Sequence, residues 1–371
     1  MKFVIERAAL LKSLAHVQSV VERRNAIAIL SNVLLEAEGG QLKLSTTDMD
    51  VSITDAVAAE IAQDGATTAP VHTLYDIVRK LPDGAQVELA MQDSGQLALR
   101  AGRSNFTLAS LPREDFPMMP HTDLPHQFTL PAEELRALVD RTRFAISTEE
   151  TRYYLNGIYC HATEAEGVKV LRAVATDGHR LARIQMPLPE GAEDMPGIIV
   201  PRKAVTELRK LIDESSDPID VALSETRIRF TFDQVVLVSK LIDGTFPDYE
   251  RVIPAENDKL LEVDTKSFAE AVDRVSTIST EKSRAIKLAL DKGNLVLSAT
   301  SPDAGTATEE IEVSYSSDAM EIGFNSRYLL DITHQIEGDG AQLSLSDAAS
   351  PTIIQDTADS SALYVLMPMR V

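Results

Sequence analysis

The chain has 371 residues, with 36 basic against 57 acidic side chains and a formal net charge of −21. That balance excludes a surface that attracts phosphate or anionic lipid over its whole extent, so any nucleic-acid contact must be local. The single cysteine, Cys160, excludes a disulfide framework and a cysteine-rich metal site, and reads as a small strand residue. The N-terminal MKFVIERAALL lacks an uninterrupted apolar core, and no run approaches the ~20 apolar residues that span a bilayer. A soluble, cytoplasmic protein is expected.

In chain order, a short strand KFVIE precedes a predicted helix from Arg7 to Val21, with Leu10, Leu11, Leu14, Val17 and Val21 on one stripe and Arg23 and Arg24 directly after it. Strand-like pieces follow at Val33 to Leu35, Gln41 to Ser45 and Val51 to Ile61. A helix is predicted over His72 to Leu81, with Leu74, Val78 and Leu81 inward and Arg79 and Lys80 outward. After the Pro82-Asp83-Gly84 turn, AQVELAM, QLALRAG and NFTLASL alternate as antiparallel strands. The order reads as two β-α-β-β-β halves. Phe116-Pro117 closes the unit, and the proline-rich MMPHTDLPHQ serves as linker.

The second pass begins at FTLPAEELRALVDRTRFAIST, where Leu135, Leu138 and Val139 face inward, and continues through NGIYCHA and KVLRAVATD. The helix from Val200 to Ser215 puts Ala204, Val205, Leu208, Leu211 and Ile212 on its apolar stripe and Lys203, Thr206 and Lys210 opposite. IDVALS, RIRFTF and VVLVSKL lead to Phe246-Pro247-Asp248-Tyr249, an echo of Phe116-Pro117. The third pass starts at LLEVDTKSFAEAVDRVSTIS and runs through NLVLSAT, TEEIEVSY, the helix Asn325 to Ile336, QLSLSD and the terminal ALYVLMPMRV. The helix register recurs at spacings of about 130 and 124 residues, so one domain is written three times. The fold class is α+β, with domains expected at 1–124, 125–255 and 256–371.

Chemistry-bearing residues are few. The best catalytic candidate is Thr176 to Leu181, TDGHRL, where Asp177 and His179 are two apart. Gly178 marks a turn there, and Thr47-Asp48 matches it in the first repeat, so a turn held by side-chain hydrogen bonds is expected. No G-x-S-x-G, H-E-x-x-H or glycine-rich phosphate loop accompanies it. The seven histidines are scattered, with only His121 and His126 near each other, so no metal site or cofactor is expected. Basic residues are the stronger pattern. Arg23, Arg24, Arg79, Lys80, Arg141, Arg143, Arg202, Lys203, Arg209, Lys210, Lys282 and Arg284 lie on or beside the predicted helices, while much of the acid sits in loops such as 187–194 and 302–312. If three sheets joined edge to edge with all helices on one side, that side would be basic and would attract phosphates without reading bases. The third repeat carries Thr333 and His334 where the second has Arg209 and Lys210. Methionine and proline in the terminal MPMRV make an adaptable apolar surface suited to short peptides.

The pieces Arg152 to Gly157 (RYYLNG), Ala175 to Ala182 (ATDGHRLA), Val200 to Lys203 (VPRK), Phe246 to Tyr249 (FPDY), Ile322 to Asn325 (IGFN) and Tyr364 to Arg370 resemble the bacterial sliding-clamp family, the beta subunits of DNA polymerase III, and the likeness covers the whole chain. The resemblance implies a ring-shaped head-to-tail homodimer of six clamp domains, helices on the inner face and antiparallel sheets outside, with no enzymatic activity. It implies a pocket for short linear motifs of polymerase, clamp loader and repair proteins, made by Leu155, Thr176, Gly178, His179, Arg180, Leu181, Pro247, Arg251, Val252, Asn325, Tyr328, Val365, Met367, Pro368, Met369 and Arg370. Arg180 and Arg370 are expected to orient the peptide. The sequence departs from the family at Ser283, Pro351 and Val371. Candidate contacts to duplex DNA are Arg24, Arg79, Lys80, Arg152, Tyr153, Tyr154, Arg202 and Lys203. Arg100, Arg103, Phe106 and Leu108, on a predicted edge strand, are expected to meet Ile278 and the Glu309-Glu310 region of a second copy. The alternatives are a repeat-built peptide-binding scaffold that never meets DNA, and a hydrolase using Asp177 and His179.

Overall fold

The computed structural model describes residues 1–120, 122–279 and 284–371. The first repeat holds β1 (Lys2–Glu6), α1 (Arg7–Gln18), β2 (Asn32–Glu38), β3 (Gln41–Thr47), β4 (Val51–Ala58), β5 (Glu60–Gln63), β6 (Gly65–Pro70), α2 (Val71–Lys80), β7 (Gln86–Met91), β8 (Leu97–Ala101) and β9 (Ser104–Leu108). The second holds β10 (His126–Leu130), α3 (Ala132–Arg143), β11 (Gly157–Ala165), β12 (Val168–Thr176), β13 (Arg180–Pro187), β14 (Ile198–Pro201), α4 (Arg202–Ile212), β15 (Ile219–Leu223), β16 (Arg227–Phe232) and β17 (Val235–Lys240). The third holds β18 (Lys259–Asp264), α5 (Thr265–Ser276), β19 (Ala285–Asp291), β20 (Asn294–Ser301), β21 (Gly305–Glu312), β22 (Ser314–Tyr315), β23 (Met320–Asn325), α6 (Ser326–Thr333), β24 (Gly340–Leu345), β25 (Thr352–Asp356) and β26 (Ala362–Leu366). Apart from the short β5 and β22, this is β-α-β-β-β six times, as the periodicity predicts.

The helices form where apolar residues recur on one side, and in α1, α5 and α6 a side chain closes the first turn. On α4, Ala204, Val205, Leu208, Leu211 and Ile212 are all buried. Glu6 accepts from the Ala9 amide at the start of α1, and Asp264 from the Ser267 amide at the start of α5. Two predicted strands break. The run Val51 to Ile61 divides because the Ala59 amide turns to Gly40 O, so β4 stays in one sheet while β5 pairs with β1 in another. TEEIEVSY divides at Val313, whose amide bonds Gly293 O. The first helix ends at Gln18, although Val20 and Val21 beyond it are still buried.

The described residues form two compact units. One comprises Met1–Leu135, Pro189–Pro196 and Lys203–Leu241. It contains a five-stranded sheet, β5-β1-β7-β8-β9, and an eight-stranded sheet, β10-β15-β16-β17-β4-β3-β2-β6. The second comprises Arg136–Leu188, Gly197–Arg202 and Ile242–Val371, with a nine-stranded sheet, β14-β11-β12-β13-β26-β25-β24-β18-β22, and a four-stranded sheet, β21-β20-β19-β23. Repeats are therefore joined edge to edge inside sheets. β17 lies on β4, with Leu237 opposite Ile53, and β13 lies on β26, with Leu181 opposite Val365. These backbone ladders join the first repeat to the second and the second to the third.

Candidate functional site

The TDGHRL segment is a turn in which every side chain is committed. Thr176 Oγ1 donates to Arg180 O at 2.8 Å and accepts from the Gly178 amide at 3.1 Å. Asp177 Oδ1 accepts from the His179 and Arg180 amides at 2.9 and 3.0 Å. The first repeat builds the same turn. Thr47 Oγ1 donates to Val51 O, and Asp48 Oδ1 accepts from the Asp50 and Val51 amides at 2.9 and 2.7 Å. The third turn residue takes a positive φ in both, 88° at Gly178 and 81° at Met49. Asp177 thus serves turn amides, and the His179 ring stacks on Tyr328, 6.3 Å between centroids, so the two do not form an acid-base pair.

Arg180, expected to orient a peptide, is bonded within the chain. Its side chain is only 9% exposed and is held inside the protein. Nε donates to Asp177 Oδ2 at 3.2 Å, Nη1 to Asp331 Oδ2 at 2.5 Å and Nη2 to Phe144 O at 2.7 Å, while the guanidinium lies 4.2 Å from the Tyr328 ring centroid. It ties the turn to α6. Asn325 Oδ1 is likewise occupied, capping α6 through the Arg327 amide at 3.0 Å.

Beside this turn, Leu155, Leu181 and Val365 are buried in one apolar cluster with Val174, Ile199, Phe246, Tyr249 and Leu363. The C-terminal tail is held across it by its backbone. The Met367 amide bonds His179 O at 2.9 Å and the Met369 amide bonds Gly323 O at 2.8 Å. An added Cβ at Gly323 would fall 2.5 Å from Met369 O, so only glycine admits the tail there. Met367 is 42% exposed and Pro368 and Met369 are half-buried, which leaves apolar surface at the rim, with Arg370 exposed beyond it. Pro247, Arg251 and Val252 lie exposed on the segment after Phe246, and Arg251 is paired with Asp248 at 2.7 Å. Ser283 lies outside the described residues, as does Lys282. Pro351 presents its carbonyl to Asn257 Nδ2 at 2.9 Å.

The cationic residues are less free than their spacing implies. Arg24, Lys80 and Arg202 are exposed, but Arg79 pairs with Asp76 at 3.3 Å, Lys203 with Asp48 and Lys210 with Glu207. Arg152 makes a two-pronged pair with Glu149, 2.8 Å on each side, and its guanidinium packs against Gly178. That bond raises the Arg152 pKa and lowers that of Glu149. Tyr153 is exposed, whereas Tyr154 packs against the apolar cluster. Among the expected dimer contacts, Phe106 does lie on the edge strand β9. Arg100 sits one strand in, on β8, and Leu108 is buried at 7% exposure. Glu309 is on the opposite type of edge, β21, paired with Arg274 at 2.6 Å, and Ile278 is half-buried after α5. Arg103 is exposed in the β8-β9 turn.

Family models for the N-terminal, central and C-terminal domains of the DNA polymerase III beta subunit match residues 1–120, 129–248 and 250–370. The chain belongs to the DNA polymerase III beta subunit family. It is 55% identical over 372 residues to the beta sliding clamp of Caulobacter vibrioides and 38% identical to that of Escherichia coli, covering 100% of both partners in each case. Among solved structures, a Bartonella birtlesii sliding clamp bound to griselimycin superimposes with a TM-score of 0.98 at 49% identity, and a Caulobacter crescentus clamp with 0.95 at 54%, again over 100% of both chains.

This beta-subunit chain therefore contains three DNA-clamp domains of mixed α and β structure with antiparallel sheets. The two compact units cut across the matched domains, because the shared sheets hold strands of two repeats each. Sequence reasoning missed Val174, Ile199, Phe246, Tyr249 and Leu363 in the apolar cluster. The near-continuous apolar runs along KVLRAVATD and ALYVL carried a signal that Val174 and Leu363 are buried. Nothing local linked Asp331 or Phe144 to Arg180.

Proposed function

We infer that the chain is a DNA sliding clamp: a ring that encircles duplex DNA without base preference and tethers polymerase and other replication and repair proteins, with no catalytic activity of its own, in the cytoplasm. The observation that carries this reading is the match of all three clamp domains over the full length to beta sliding clamps. Domains spanning 1–124, 125–255 and 256–371 supply three sixths of the ring, and a head-to-tail dimer completes it. Two open sheet edges support that closure. β9 ends the five-stranded sheet and carries Phe106, with Arg103 in the turn before it. β21 ends the four-stranded sheet and carries Glu309, Glu310 and Glu312. Pairing the β9 edge, with Arg103 beside it, to the acidic β21 edge would satisfy both backbones and set opposite charges across the seam.

Exposed Arg24 and Lys80, with Tyr153, are placed for phosphate and sugar contact, and Arg202 is exposed at the start of α4; Arg79, Arg152 and Lys203 reach DNA by exchanging a carboxylate partner for a phosphate. With a net charge of −21, the chain is repelled by DNA at long range, so attachment is topological first and electrostatic second. Partner segments dock by apolar burial over Leu155, Leu181, Val365 and the tail from Met367 to Arg370. Sedimentation velocity at micromolar concentration should return twice the 40.5 kDa chain mass. Primer extension by polymerase and loader on a primed circle should lengthen products only when the chain is present. A monomer, or unchanged product length, contradicts the inference.

A further inference from the structure

The sheet face that carries the apolar cluster continues into a cationic end. Ladder pairing places Tyr159, Val174, Arg183 and Leu363 in one cross-strand row. Thr176, Leu181 and Val365 form the row on one side, and His161, Arg172 and Gln185 the row on the other. Residues paired across a ladder share a face, so two guanidiniums stand diagonally on the face that forms the pocket floor. Arg183 lies between two members of the cluster itself, Val174 and Leu363.

The two arginines are treated differently. Arg172, 5% exposed, is fully tied: Nη1 donates to Tyr249 Oη at 2.9 Å and Glu250 Oε1 at 2.6 Å, and Nε and Nη2 to Gln185 Oε1 at 3.2 and 3.0 Å. Arg183 Nε is buried without an acceptor among the described residues. Burial, and then the charge of Arg172, lowers its pKa, outweighing the opposing pull of Tyr249 and Glu250. Stacked rings wall this end: Tyr159 lies 4.8 Å from His161 and 4.9 Å from Phe246 between centroids. One carboxylate, Glu250, serves two guanidiniums, and its own side chain is 63% exposed. The local balance is one positive charge in excess, which suits a carboxylate better than a phosphate dianion.

We propose that Arg183, with Arg172 beside it, is an anion-recognising extension of the pocket that takes a carboxylate of the bound segment adjacent to that segment's apolar anchors. The inference rests on the reading of this cluster as a peptide pocket and adds the chemistry that distinguishes one segment from another. Apolar burial supplies most of the affinity but little discrimination, whereas a desolvated guanidinium rejects an amide or an apolar residue in the carboxylate position, because its charge then stays uncompensated. A hydrogen bond between charged groups corresponds to about tenfold in affinity or more.

Random octapeptides displayed on phage, selected separately against the full wild-type chain and Arg183→Gln, test this. Wild-type selections should share apolar anchors with Asp or Glu at a fixed spacing, and Arg183→Gln selections should keep the anchors and lose the acid. Synthetic peptides from the wild-type pool, with Glu against Gln at that position, should differ about tenfold on the wild type and less than about twofold on Arg183→Gln. If the free and amidated C-terminal forms differ instead, the terminal carboxylate is the group taken. Identical anchors from both chains with no acidic preference would overturn the proposal while leaving the pocket intact. Peptides that bind equally well after deletion of Met367 to Val371 would overturn the pocket reading and this one with it. Without peptide, Arg183→Gln should be at least as heat-stable as the wild type, since a half-buried guanidinium with an unpaired Nε has been removed; a lower melting temperature would show Arg183 already partnered and defeat the proposal.

Discussion

Replacing Arg180 with methionine keeps the apolar stem and removes the guanidinium that holds the pocket turn to α6. Three charge-assisted bonds are lost, to Asp177, Asp331 and Phe144 O, together with the stacking on Tyr328 at 4.2 Å. Removing one partner of a buried pair costs about 3–5 kcal/mol, because the other is left uncompensated. The Asp331 side chain is 29% exposed and Asp177 keeps two turn amides, so both rehydrate in part and the expected loss is the lower figure, about 3 kcal/mol. Urea unfolding followed by circular dichroism, with Asp331→Leu and the double variant, gives the coupling between the two residues. The cycle should return about 1.5–3 kcal/mol of interaction, the double variant costing little more than either single one. Additive effects, or an Arg180→Met loss below about 1 kcal/mol, would refute the assignment of Arg180 as an internal tie.

Deleting Met367 to Val371 removes the segment held at His179 O and Gly323 O, and peptide affinity measured by fluorescence polarisation should fall below detection while the dimer persists. Gly323→Val should have the same effect on peptide binding, because the side chain displaces the tail at Met369 O. Phe106→Ala with Ile278→Ala should shift sedimentation toward monomer; dimers of unchanged stability would count against closure through β9. Stability should also depend on pH through His16, which is 8% exposed between Asp55 at 2.7 Å and Glu214 at 2.8 Å. Two carboxylates flank the ring, an arrangement that favours the protonated form, in which both nitrogens donate. Burial is the largest single influence and pulls the pKa down, but the bonds to Asp55 and Glu214 and their charges together raise it above 6.5. The folded value exceeds the unfolded one, so this stabilisation is complete below about pH 6.5 and fades as pH rises through the folded pKa. The stability difference between wild type and His16→Gln should therefore shrink as pH rises above 6.5; a constant difference would contradict the bridge.

Elements defined by local period were legible from the sequence. The α4 stripe, the alternation of β7 to β9 and the Thr-Asp turns at 47 and 176 follow from spacing and side-chain chemistry within a few residues. What spacing could not convey was pairing between distant segments. The joins of β17 to β4 and β13 to β26 depend on which sheet edge meets which, and either edge carries the same alternation. Long-range pairing also explains which partners at the site were not legible. Arg180 and Asp331 are 151 residues apart, and Lys203 meets Asp48 from another repeat, so both cations read as free until the fold joined them to their carboxylates. Arg100 was misplaced for the opposite reason: its alternation suits an edge strand, yet β9 follows β8 and takes the edge itself.

The central claim is that the chain holds DNA by enclosing it. The direct measurement is to load the protein with its loader onto nicked circular DNA, cut the circle once, and follow how much stays bound. A closed ring slides off the free ends, so retention on linear DNA should collapse within the assay while circles keep their protein; equal retention on both would contradict the account.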